Sequence, residues 1–179
     1  MSFFDPERFK IDLSQSYEIE EIKATKKTAP AVLKKLIGLM KKHGETKHVF
    51  GMYTGNQRFY LLTLKNEDII EEIVAEDKSK AWKKLDVTIL HYTVFDRVLG
   101  IAQQTAEKVT YTQNAEEAVK MVDEKGYQVA FLLNPTKVTE ITAIASKTEK
   151  MPHKSTFFYP KLLSGLVVNK IVHGDKIKL

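Results

Sequence analysis

The chain has 179 residues, a net charge of +5 and a hydrophobic content of 43%, an ordinary globular composition long enough for one sizeable core. It contains no cysteine, which excludes disulfides and thiolate metal sites and fits a reducing cytoplasm. No run approaches the roughly 18 apolar residues of a membrane span, and the opening Met1-Ser2-Phe3-Phe4-Asp5-Pro6 lacks the apolar stretch of a signal peptide.

Phe9-Lys10-Ile11-Asp12-Leu13 alternates and predicts a short strand. Thr28 then predicts an N-cap for a helix over 29–43, with Pro30 in its first turn and Gly44 at its end. Val32, Leu33, Leu36, Ile37 and Met40 share one side of that helix, and Lys34, Lys35, Lys41 and Lys42 share the other. Residues 48–53 read as a strand, Gly55-Asn56 as a turn and 59–64 as the returning strand of a hairpin. Glu67 to Ala75 reads as an acidic helix. Asp86 predicts an N-cap for a helix over 87–99, stopped by Gly100, with His91 in the middle of its apolar face. The plain reading of His91 is a buried neutral histidine with one hydrogen-bond partner.

Val109 to Thr112 predicts a strand, and Asn114 with Glu117 predicts a capping box for a helix ending before Gly126. Tyr127 to Leu133 is almost wholly apolar, the pattern of a central strand buried on both faces. Strand, helix and strand in this spacing predict a parallel, right-handed βαβ unit. Asn134-Pro135 predicts the start of a further helix to about Lys147, and Asn134 falls where open sheets bind ligands. Residues 166–171 read as a last strand and 173–179 as a polar tail. The expected architecture is one α/β domain, 1–179, with a mixed sheet and helices packed on it.

Charge is segregated. Between Lys23 and His48 lie eight lysines and one acid, whereas Glu67, Asp68, Glu71, Glu72, Glu76 and Asp77 have no intervening base. Such asymmetry can steer an anionic partner. With only three arginines in the chain, base reading has little support, so nucleic acid is the least favoured partner and a solvated lysine face the plain reading.

The densest motif is 151–161: Met151, Pro152, His153, Lys154, Ser155, Thr156, Phe157, Phe158, Tyr159, Pro160 and Lys161. Its prolines favour extended or irregular backbone. An ammonium and two hydroxyls together suit a phosphate or carboxylate. The lack of upstream glycines excludes a Walker A loop, and no glycine elbow surrounds Ser155 or Ser164. The five histidines show no metal-ligand spacing, and no dinucleotide fingerprint occurs, so no cofactor or metal is expected. His153, Lys154, Ser155, Thr156, Tyr159 and Lys161, with His91 and Asn134, form the candidate ligand-binding set; no catalytic residue is assigned. The opposing reading is a proline-framed connector whose aromatics cover the sheet.

The pattern Met151, Pro152, Lys154, Ser155, Thr156, Phe158, Pro160, Lys161, Leu162, Gly165, Leu166 and Val167 resembles the end of a bacterial family of unknown function, number 1015 in the domain-of-unknown-function series. Leu85-Asp86-Val87 with Leu90-His91, Leu99-Gly100-Ile101 and Ala130-Phe131-Leu132-Leu133-Asn134-Pro135 extend the resemblance over about 50–171. The resemblance implies that this is the C-terminal half, as a fragment or a short gene product. Family members carry an N-terminal half with an Asp-Gly-His-His-Arg segment, similar to the partition-protein/sulfiredoxin superfamily, and often sit beside serine-biosynthesis genes. That segment does not occur here. The implied function is an anion- or phosphometabolite-binding half of a phosphotransfer-like protein linked to serine metabolism. The alternatives are an interaction or assembly module, pairing with itself or with the missing half, and nucleic-acid binding through the lysine helix.

Overall fold

The computed structural model describes residues 4–74, 77–101, 108–153, 155 and 156. Helices and strands are mixed in a single α/β domain built as a four-stranded sheet between two layers of helix. The strands expected at 166–171 and the tail at 173–179 lie outside the described residues.

The first element is helix α1, Pro6–Ser14, where a strand was expected. The Asp5 carboxylate accepts from the N–H groups of Glu7 and Arg8, and Pro6 occupies the first turn. Phe9 and Leu13, spaced i and i+4, are buried while Ile11 is 67% exposed. Five alternating residues fit both periods, and the cap decides for the helix. Strand β1, Tyr17–Lys23, follows; with three glutamates and a lysine it carries no apolar alternation strong enough to reveal it.

Helix α2 spans Ala29–His43 and buries Leu33, Leu36 and Met40. Thr28 sits at its N-cap without capping it, because its hydroxyl accepts from the Thr25 N–H at 2.9 Å. Strands β2, Val49–Tyr53, and β3, Arg58–Leu64, form the expected hairpin. Its turn holds Gly55, Asn56 and Gln57 at φ of 81°, 51° and 57°, a left-handed run that glycine and asparagine tolerate best.

Helices α3, Asp68–Ile73, α4, Lys80–Lys83, and α5, Asp86–Leu90, come next. The N-cap of α5 is Leu85, not Asp86; the Asp86 carboxylate is engaged by His48. The helix expected over 87–99 changes at His91–Asp96 to a π-helix. Thr93 in that turn donates to the Ile89 carbonyl and contacts the Tyr17 hydroxyl. Helix α6, Ala115–Glu124, is capped by Asn114, and β4, Ala130–Leu132, and α7, Val138–Ala145, follow.

The sheet order is β1-β3-β2-β4, and every pair among the described residues is antiparallel. The expected βαβ unit is therefore corrected, and the described part of the sheet is antiparallel rather than mixed. Residues 109–112 form no strand: the Thr112 hydroxyl donates to Glu117 and accepts from the Asn114 N–H, so it serves the start of α6. The capping box is incomplete for the same reason, since the Glu117 carboxylate turns to Thr112. Strand β4 pairs with β2 through Gly51↔Leu132 and Tyr53↔Ala130, and it is an edge of the described sheet rather than its centre. It is apolar on both sides because both sheet faces are covered. Phe131 meets Phe9 and Phe95, whereas Leu132 packs with the α2 layer. The helix expected from Pro135 begins only at Val138.

One core layer joins α1, the π-helix and α7 to Phe50, Met52, Tyr60 and Leu62. The other joins α2 and α6 to Val49, Tyr53, Phe59 and Leu61. Each such fully buried side chain contributes about 1.5–3 kcal/mol.

Candidate functional site

The end of α7 and the chain beyond it are tied to the body of the domain at three places. The Glu149 carboxylate accepts from the Ser79 N–H at 2.8 Å and from its hydroxyl at 2.6 Å. The Trp82 indole donates to the Lys150 carbonyl at 3.1 Å. Thr136 donates its hydroxyl to the Ser155 carbonyl at 2.8 Å. Ser79 also caps α4, so one hydroxyl holds a helix start and the connector together. Its hydrogen bond is the leading reason that the Glu149 carboxyl lies below the usual carboxylate range.

Within the motif, the Ser155 hydroxyl donates to the Pro152 carbonyl at 2.6 Å, and the Ser155 N–H points to the same oxygen at 3.3 Å. That is a local turn in the chain after a proline. His153 is exposed, and Thr156 is half-buried. Lys154, Tyr159 and Lys161 lie outside the described residues.

Asn134 is not an N-cap. Its side-chain amide donates to the Met40 carbonyl at 3.0 Å and so closes the C-terminal end of α2. His91 is half-buried, with its ring centroid 5.9 Å from that of Tyr92 and 5.7 Å from that of Phe95. Its Nε2 is buried without a hydrogen bond among the described residues. Burial pushes its pKa below 6.5, opposed by the charge of Asp96. The structure thus connects the Asn134–Thr136 stretch to Ser155, and it places His91 in a separate aromatic setting on the π-helix.

Two pockets stand out on the described surface. One, of about 320 Å³, lies between α1 and the sheet and is lined by Glu7, Lys10, Ile11, Ser14, Ile19, Glu21 and Tyr60. The other, of about 270 Å³, is lined by Asp12, Gln15, Ser16, Arg97 and Val98. Neither contains His91, Asn134 or a residue of the motif.

A polar cluster escaped the sequence reading. His48 Nδ1 lies 2.7 Å from Asp86 Oδ1 and its Nε2 lies 3.8 Å from Glu67 Oε1. Lys84 completes the row at 2.8 Å from Glu67 and, with its hydrogen bond, is the main cause of the lowered Glu67 pKa. An oriented imidazole is half of a base-catalysis device, but here both of its nitrogens face carboxylates. The residues are 19 and 38 positions apart from His48, and only the fold joins them. Among the described residues no cluster of histidine and acids is arranged to hold a metal ion, and no helix is long and apolar enough to cross a membrane.

The fold and this site define a sandwich of helices about an antiparallel sheet, with its polar side chains turned to joining elements. No family model, no curated protein and no solved structure matches the chain.

Proposed function

We propose that the chain is the C-terminal half of the 1015 family and works in the bacterial cytoplasm as an interaction and assembly module, not as a catalyst on its own. The observation that carries this reading is the Ser155 hydroxyl, engaged at 2.6 Å by the Pro152 carbonyl. A hydroxyl donated to its own chain has no proton left to give to a phosphate or carboxylate. Asn134 supports the same reading, because its amide holds the end of α2. Trp82, Glu149 and Thr136 then act as fastenings for the connector, and the domain presents surfaces to a second unit.

Light scattering after size exclusion tests the proposal. The chain alone should self-associate, or it should gain mass when the separately produced N-terminal half of a family member is added. A clean monomer that ignores the added half contradicts it. The small-anion alternative is distinguished by calorimetry, where phosphoserine or phosphoglycerate would give saturable heat.

A further inference from the structure

The lysine face of α2 has no ion-pair partner among the described residues. Lys34, Lys35, Lys41 and Lys42 are all exposed, as are Lys26, Lys27 and Lys47 beside them. None of these seven meets an acid among the described residues, although the chain has acids enough. The acidic block turns instead to Lys83 and Lys84, which pair with Glu71 at 3.3 Å and with Glu67 at 2.8 Å. The positive field is therefore left open to solvent while part of the negative field is neutralised within the chain. Lys41 and Lys42 suit the C-terminal end of the helix dipole. Lys34 and Lys35, a further two turns back, gain nothing from it.

Gly38 sits in the middle of this face. At about 100° per residue, Lys34, Lys35, Gly38, Lys41 and Lys42 share an arc of roughly 120°, and Lys34 to Lys41 spans about 10 Å. A glycine inside a helix is unfavourable relative to alanine. Among the described residues nothing lies within 4 Å of the place a Cβ would occupy on Gly38, so none of them requires it. A flat gap flanked by four ammonium groups is what the close approach of an external polyanion needs.

We propose that this face binds the phosphate backbone of duplex nucleic acid without reading sequence. The stripe has no aromatic and no arginine, and Ile37 is the single large apolar side chain of α2 left exposed. A protein partner would call for apolar or aromatic anchors, and a membrane for a wider apolar face. Phosphates need only charge and access. The scarcity of arginine, which speaks against base reading, fits backbone contact alone. The inference stands apart from the assembly reading, since it uses another surface.

Fluorescence anisotropy with a labelled duplex of random sequence tests it, using the whole chain at about 50 mM salt and above. Binding should weaken with a log–log salt slope of about −3 to −4, as for roughly four phosphate contacts. Lys34→Ala with Lys41→Ala should lower affinity at least tenfold while the melting temperature holds. Gly38→Leu should raise the melting temperature and weaken binding, a pairing that a merely solvated face gives no reason to expect. No binding at about 50 mM salt, or binding that both variants leave unchanged, overturns the proposal. Tighter binding to poly-glutamate or to phosphatidylserine vesicles than to the duplex also overturns it, in favour of an acidic protein or a membrane.

Discussion

Asn134 donates its side-chain amide to the Met40 carbonyl across 94 positions of sequence, at 3.0 Å. This one bond fixes the exit of β4 against the end of α2. Gly44 makes room for it: a Cβ there would lie 2.2 Å from Asn134 Nδ2 and 2.8 Å from the Met40 carbonyl oxygen. Its φ of −70° requires no glycine, so close approach is the reason for the residue. Met40 keeps the Gly44 N–H as a second donor. Asn134→Ala should therefore cost about 1 kcal/mol, one hydrogen bond without an orphaned carbonyl. Gly44→Ala should cost about 1–3 kcal/mol through overpacking, and less when Asn134 is already alanine. Urea unfolding of the two single variants and the double variant measures this; strict additivity would contradict it.

Tyr17 and Thr93 join β1 to the π-helix through their hydroxyls. Thr93 donates its single proton to the Ile89 carbonyl at 2.6 Å, so Tyr17 is the donor between them. Burial raises the Tyr17 pKa, which keeps that proton in place. Tyr17→Phe should cost about 1 kcal/mol, whereas Thr93→Val strands a buried phenol and should cost about 1–3 kcal/mol. Equal costs in denaturant unfolding would reverse the donor assignment.

His91 should make stability depend on pH. Its folded pKa is lowered from 6.5, chiefly by burial. As pH falls below about 6.5, the unfolded chain takes up the proton first. Stability is therefore full above 6.5 and declines as pH drops toward the lowered folded value. Glu7, Glu67 and Glu149 are held below 4.5, so their contributions fade only in more acid solution. His91→Leu should flatten the curve below about 6.5, and at neutral pH should be neutral or stabilising because an unpaired buried nitrogen is removed. An unchanged slope in the leucine variant refutes the assignment.

Much of the architecture was legible where two local signals agreed. Helix α2 had both an apolar stripe and a glycine stop, and the β2–β3 hairpin had two apolar runs around Gly55-Asn56. Legibility failed where one signal stood alone. The alternation of 9–13 hid α1 because Asp5, its cap, lay outside the pattern. Strand β1 is half charged and owes its form to pairing with β3. Two-sided apolarity in 127–133 showed that both faces are covered, and it carried no information on direction or on position in the sheet. In the candidate site, residue types were visible but their engagements were not: the partners of Asn134 and His48 are set by tertiary structure alone.

The connector should loosen when its fastening is cut. Ser79→Ala removes the hydroxyl bond to Glu149 and the cap of α4. Trypsin should then cleave faster after Lys147 and Lys150 and around α4, with sites elsewhere unaffected, as read by mass spectrometry of timed digests. Uniform acceleration at all sites would indicate general unfolding instead.

The measurement that bears most directly on the assembly reading is Ser155→Ala, followed by both unfolding and calorimetry. Ser155→Ala should lose about 1 kcal/mol for the missing bond to Pro152, and neither protein should give saturable heat with phosphoserine, phosphoglycerate or a nucleotide. Saturable binding to the wild type that disappears in an equally stable Ser155→Ala variant would contradict the assembly reading and return the motif to a ligand site.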